Sequence, residues 1–139
     1  KDSGINTLAD LAGKVVEVQK ESAAETALND EEHADLTASF AQLLSVGEYN
    51  TAFMDLESGA VDAVAIDIGV AQFQIEGKED QYQILDETIS SEQYAVGFFL
   101  GNTALRDEVQ STLLEMVEDS TFAEISNQYF GYDVCTLGK

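Results

Sequence analysis

The sequence predicts an α/β fold: a mainly parallel sheet with helices on both faces, followed by a C-terminal helical segment. Three observations carry this. Short β-branched or apolar runs at 15–19, 39–44 and 61–66 alternate with stretches that have helix start and stop signals. Parallel strands need such helical crossovers, which are right-handed by default. Beyond residue 100 the pattern changes to long helical periodicity, and no proline interrupts any element.

The elements follow in order. Thr7 can cap a short turn over 8–12 that stops at Gly13. Val15–Gln19 reads as the first strand. Ser22 and Glu25 have capping-box spacing and open a helix to about His33. Residues 39–44 read as a second strand. Asn50 can cap a helix ending at Ser58, with Gly59 as its stop. Residues 61–66, Val-Asp-Ala-Val-Ala-Ile, form a strongly apolar third strand, and 69–76 a helix stopped by Gly77. Residues 82–85 and 94–100 read as two further strands. Thr103–Glu118 is a long amphipathic helix carrying Leu105, Val109, Leu113 or Leu114, and Val117 on one side. Thr121 and Glu124 repeat the capping-box spacing and open a helix to about Phe130.

Composition bounds the function. The 139 residues include 27 acidic and 6 basic side chains, a net charge of −21. Phosphate backbones need clustered Lys and Arg, and Arg106 is the only arginine, so nucleic acid is excluded. Anionic membrane surfaces are disfavoured on the same grounds. Forty-five percent hydrophobic residues is too many for an acidic disordered tail. Cys135 is the only cysteine, so no internal disulfide or Cys-based zinc ribbon forms. No apolar run approaches the ~18 residues of a membrane span. The chain begins Lys-Asp-Ser-Gly without an initiator Met, as a processed chain or an excised fragment would. The run Asp30-Glu-Glu-His33-Ala-Asp35 matches no zinc or EF-hand spacing and reads as a solvated helix end. Neither a metal nor a cofactor is expected. With no GxSxG, Walker A or GxGxxG sequence, no catalytic residue is nominated. Phe98, Phe99, Tyr129 and Phe130 read as core or lobe-contact residues rather than a stacking platform.

In parallel sheets ligands sit beyond the carboxyl ends of the strands. That rule selects the turn after Gln19 and the turn after Ile66. After Gln19 comes Lys20-Glu21-Ser22-Ala23, at a helix start whose free N–H groups suit an anion. Ser22 either caps this helix or adds a donor to a ligand, and the two roles can coexist. Asp67, after the third strand, either caps the next helix or holds an ammonium through a charge-assisted hydrogen bond. Together, a carboxylate site at Ser22 and an ammonium site at Asp67 suit an α-amino acid.

The stretch Leu11-Ala-Gly-Lys14-Val-Val-Glu-Val-Gln19-Lys-Glu-Ser22-Ala-Ala-Glu25 resembles the start of the second lobe of extracellular amino-acid-binding proteins of ABC importers, solute-binding proteins of the type II periplasmic-binding fold. Asp55-Leu-Glu-Ser-Gly59-Ala-Val-Asp62-Ala-Val-Ala-Ile-Asp67 resembles the family's second recognisable stretch. Glu92-Gln-Tyr94-Ala-Val-Gly97-Phe with Gly101-Asn-Thr-Ala-Leu-Arg106 resembles the strand returning across the hinge, and Ile125-Ser-Asn-Gln-Tyr-Phe130-Gly131 the closing helix. The resemblance covers nearly the whole chain, in order.

It implies a clamshell whose two α/β lobes close over an amino acid and present it to a membrane permease. It implies that Ser22 and the Ala23 amide hold the ligand carboxylate, that Asp67 binds the α-ammonium, and that Gln19 and Lys20 line the adjacent wall. It also implies an extracytoplasmic location, periplasmic or as a cell-surface lipoprotein anchored upstream. Two departures stand out. The family usually has Gly at the position of Glu21, and often a second Ser or Thr at the position of Ala23. Residues 1–93 match the second lobe, and 94–139 the returning strand and the helices that pack on the first lobe. The first lobe itself has no counterpart here, so the chain reads as a C-terminal fragment. The apolar side of Thr103–Glu118 then lacks its partner, and self-association of the isolated chain is expected. An enzyme on the same fold, resembling the dehydratases that act on prephenate or arogenate, with Glu21 as its only nominee, is the competing class, and a receptor's sensing lobe is a third.

Overall fold

The computed structural model describes residues 3–138. The chain divides into two compact units, Lys1–Glu92 and Gln93–Lys139.

The first unit is built on three parallel strands, β1 (Val15–Gln19), β2 (Gln42–Val46) and β3 (Ala63–Ala65), in the order β2-β1-β3. β1 is central and covered on both faces, which fits its three valines; Glu17 is the polar residue among them. Val16 and Val18 point to one face. There they pack with Leu28 of α1 (Ala23–Leu28), with Leu11, Phe40 and Ile5, and with half-buried Leu36 of α2 (Ala34–Ser39). The other face carries Glu17, against α3 (Tyr49–Ser58), whose Ala52 and Phe53 are buried. α4 (Ile68–Ile75) follows β3 and buries Ala71 and Ile75. The parallel α/β architecture expected from the sequence is thus present.

Several boundaries differ from the sequence expectation, each for a local reason. The helix opened by Ser22 stops at Leu28 rather than running to His33, because the Asn29 amide turns back to the Glu25 carbonyl at 2.7 Å. Residues 31–33 form a separate 3-10 turn before α2. β2 begins at Gln42, not Ser39. Ser39 ends α2, its hydroxyl bonded to the Leu36 carbonyl at 2.6 Å, and Phe40 is drawn into the core. The cap of α3 is Glu48, in extended conformation, and Asn50 lies inside the first turn. Gly59 ends α3 in the left-handed conformation (φ 77°), as its position predicted.

Neither 82–85 nor 94–100 forms a strand; β1, β2 and β3 are the strands among the described residues. The first of these segments is held by side chains instead of a ladder. The Tyr82 hydroxyl donates to Glu57 Oε1 at 2.5 Å, its ring meets Phe53 edge-on at 5.8 Å, and Leu85 and Ile89 pack on the core. Burial, then the Glu57 carboxylate, pushes the Tyr82 phenol up to about 12.

The second unit contains α5 (Thr103–Glu118) and α6 (Thr121–Phe130), which pack on each other. Both spans match the sequence expectation. The second capping box does not form: Thr121 is the first helical residue, and its N–H donates to Asp119 Oδ1 at 2.9 Å. Ser126, buried on α6, accepts from the Val134 N–H at 2.9 Å and donates to the Tyr132 carbonyl at 2.8 Å. These bonds fold the tail back and bury Cys135. Phe99 and Tyr129 are exposed, which removes the core reading for them and leaves lobe contact. Residues 94–100 belong to no sheet among the described residues, and a strand cannot be stable alone.

Candidate functional site

Parallel pairing aligns the carboxyl ends of all three strands at one edge of the sheet: Gln19 lies opposite Val46, and Val18 lies between Ser45 and Ala65. The chain leaves each end through a short turn into a helix, at Ser22, Tyr49 and Asp67.

The first turn is the most constrained. The Lys20 N–H donates to the Val46 carbonyl at 2.7 Å, and Gln19 Nε2 donates to the Gly47 carbonyl at 3.0 Å. Glu21 then adopts φ 61°, the left-handed region. Glycine reaches this conformation without strain, whereas a residue with a Cβ pays roughly 1–2 kcal/mol. The turn therefore explains why a glycine suits this position. The Glu21 side chain is exposed, so its charge is solvated.

Ser22 caps α1: its Oγ accepts from the Glu25 N–H at 3.1 Å. Glu25 reciprocates one residue earlier than in a standard capping box, accepting from the Glu21 N–H at 2.6 Å. Its other oxygen accepts from the Ser45 hydroxyl at 2.6 Å, tying α1 to β2. The Ser45 bond first, then the Glu21 amide and the Lys20 charge, hold the Glu25 carboxyl below its usual range. Ala23 and Lys20 are exposed, and Gln19 is half-buried.

Asp67 caps α4, with Oδ1 accepting from the Gly69 N–H at 2.9 Å and the Val70 N–H at 3.1 Å. Asp67 is half-buried at the sheet edge.

The residue that sequence reasoning missed is Tyr49. It opens α3 and is half-buried. Ser22, Asp67 and Glu92 are the groups whose polarity or charge acts on its phenol. Burial first, and these two carboxylates after the Ser22 contact, leave the phenol raised above its ordinary value. The start of α3 is fastened toward α4 by a hydrogen bond from Gln74 Nε2 to Asn50 Oδ1 at 3.1 Å. The signal that could have found Tyr49 was available. The carboxyl-end rule applies to β2 as well as to its neighbours, but a strand ended at Leu44 and a cap at Asn50 leave Tyr49 in a loop.

A hydroxyl, a carboxylate and a phenol thus stand on residues at the carboxyl edge of one α/β sheet, where ligands of such sheets sit. The sequence matches the family model described as NMT1/THI5 like over residues 1–119, and the chain belongs to that family. It is 28% identical over 130 residues to the L-cystine-binding protein TcyJ of Escherichia coli K12, covering 94% of this chain and 47% of that protein. The fold is similar to a substrate-binding protein of an ABC uptake transporter from Streptococcus pneumoniae with bound histidine (TM-score 0.73, 28% identity, 96% of this chain and 55% of that one). It is also similar to an ancestral arginine-binding protein bound to glutamine (TM-score 0.65, 33% identity, 91% and 54%). The chain spans about half the length of these relatives.

Proposed function

We propose that this chain is the second lobe of an extracytoplasmic solute-binding protein, which binds a polar α-amino acid in a two-lobed cleft and delivers it to an ABC-type permease. The observation that carries the reading is the convergence of Ser22 and Asp67 on one sheet edge. An α-amino acid carries a carboxylate and an ammonium on one carbon. Ser22 and the Ala23 amide suit the first and Asp67 the second. Gln19 and Lys20, in the adjoining turn, line the wall. Residues 1–93 form the binding lobe, and residues 94–139 return toward the other. The relatives named for cystine, and those holding histidine or glutamine, are binding proteins of the same class, which favours binding over catalysis.

The test separates the cap from the ligand contact. Asparagine caps helices as well as aspartate does. Asp67→Asn in the full-length protein therefore keeps α4 but removes the charge that pairs with an ammonium. Calorimetry should show at least tenfold weaker amino-acid binding, as befits a lost charged hydrogen bond, with an unchanged melting temperature. Unchanged affinity would overturn the role of Asp67. The 139-residue chain alone lacks the opposing wall, so it should bind weakly, and its exposed apolar residues should drive self-association. A monomer by light scattering at micromolar concentration would count against the latter.

A further inference from the structure

We propose that Glu25 is a positioning residue of this site: its carboxylate ties the turn after β1 to β2, and so sets where Ser22 and the Ala23 amide stand toward the ligand carboxylate. The proposal rests on the amino-acid reading above and adds to it a residue that acts through the turn.

Three observations support it. First, Glu25 bonds in three directions. One oxygen accepts from the Glu21 N–H at 2.6 Å, the other accepts from the Ser45 hydroxyl at 2.6 Å, and the Glu25 N–H donates to Ser22 Oγ at 3.1 Å. Ser45 lies opposite Val18 in the β1–β2 register, and Val18 packs on the side of the sheet that carries Leu28 of α1. The carboxylate therefore reaches from the helix to the neighbouring strand and holds the turn on the way.

Second, this is the half of the turn that most needs holding. The bonds of Lys20 to Val46 and of Gln19 to Gly47 secure its first two residues. The turn's own bond, from the Ser22 N–H to the Gln19 carbonyl, is long at 3.3 Å. Between them Glu21 stands at φ 61°, which a residue with a Cβ adopts only when its surroundings impose it. The Glu25 carboxylate imposes it at the Glu21 N–H itself.

Third, the bonds are of the strong kind. Hydrogen bonds to an ionised carboxylate are about twice as strong as neutral ones. The Ser45 bond first, and the Glu21 amide next, hold the Glu25 carboxyl below its usual range, so it is ionised at neutral pH.

The experiment titrates full-length wild-type protein with the twenty common L-amino acids and L-cystine, then with the carboxamide of whichever binds best. Melting temperatures are recorded in parallel. Glu25→Ala removes both carboxylate bonds. It should weaken the best amino acid about tenfold or more and reduce the preference for the acid over its carboxamide, because the donors for the carboxylate are no longer held in place. Glu25→Gln keeps an oxygen for the Glu21 N–H and offers an amide N–H to the Ser45 oxygen, so it should restore most of the affinity and of the preference. Ser45→Ala, which cuts only the link to β2, should shift both in the same direction as Glu25→Ala, by less. A lowered melting temperature with an undiminished acid-over-carboxamide preference in Glu25→Ala would show a merely structural residue and overturn the proposal, leaving the amino-acid reading standing. Should Glu25→Ala not fold, wild-type affinity and preference in Ser45→Ala would overturn it in the same way. If wild-type protein binds none of these amino acids, the amino-acid reading falls and the role of Glu25 with it.

Discussion

The two units of the chain use their apolar residues differently. In the first, Val18 is fully buried and Leu28 is 1% exposed, both within one continuous core. In the second, α5 is the longest helix among the described residues yet buries no residue, and Leu105 and Leu114 stand 46% and 40% exposed. Both regions carry good patterns in the sequence. The difference shows that an amphipathic pattern specifies a helix and the side it would bury, but not what covers that side. Parallel strands with local crossovers find their partners within the unit, Val16 pairing with both Leu43 and Ala63, so the first unit closes on itself.

Four substitutions sharpen this comparison. The largest effect belongs to the core. Leu28→Ala should cost about 2–5 kcal/mol in urea unfolding through lost burial and a cavity. The same change at Leu114 should stay within about 0.5 kcal/mol. Equal costs would show that α5 is covered in solution.

Glu17 comes next. It is 1% exposed in the central strand, its Oε2 meets no hydrogen-bond partner among the described residues, and Asp55 on α3 adds repulsion. Burial first, then Asp55, raise its carboxyl pKa above the ordinary carboxylate range. The sign follows. With the folded pKa above the unfolded one, Glu17 opposes folding at pH values above its folded pKa. That penalty disappears as the pH falls toward the unfolded value. Glu17→Gln should therefore stabilise the chain at neutral pH by about 1–3 kcal/mol, the scale of an unpaired buried group, and progressively less toward pH 4.5. Paired denaturation curves at two pH values check this. The difference between variants matters, because Asp10, Glu25 and Glu57 have lowered pKa values and lose their contributions as the pH falls.

The smallest effect concerns the turn at the site. Glu21→Gly should stabilise by up to about 1 kcal/mol, since it relieves a left-handed backbone, partly offset by the greater freedom glycine gains in the unfolded chain. A loss of stability would mean that Glu21 makes a contact outweighing its strain.

Much of this molecule was legible in the sequence. Val15–Gln19 announced a covered strand through its β-branched run. Gly59 and Gly77 marked helix stops, and Ser22 and Asp67 were recognisable as helix starts at strand ends. The identity of the caps was less legible. Ser22, Glu48 and Ser120 all occupy cap positions, but only the first bonds through its side chain, because capping needs a backbone conformation as well as a residue type.

The sequence by itself determined the local chemistry: which runs are strands, where helices begin and end, the acidic surface, and two of the three polar residues at the sheet edge. These depend on neighbours a few positions away, so a linear reading captures them. Only the tertiary structure decided that 82–85 and 94–100 are not strands, because a strand exists only where another offers it a ladder. It alone brought Tyr49 to Ser22 across twenty-seven positions, because strand order and register, not spacing along the chain, decide which turns meet.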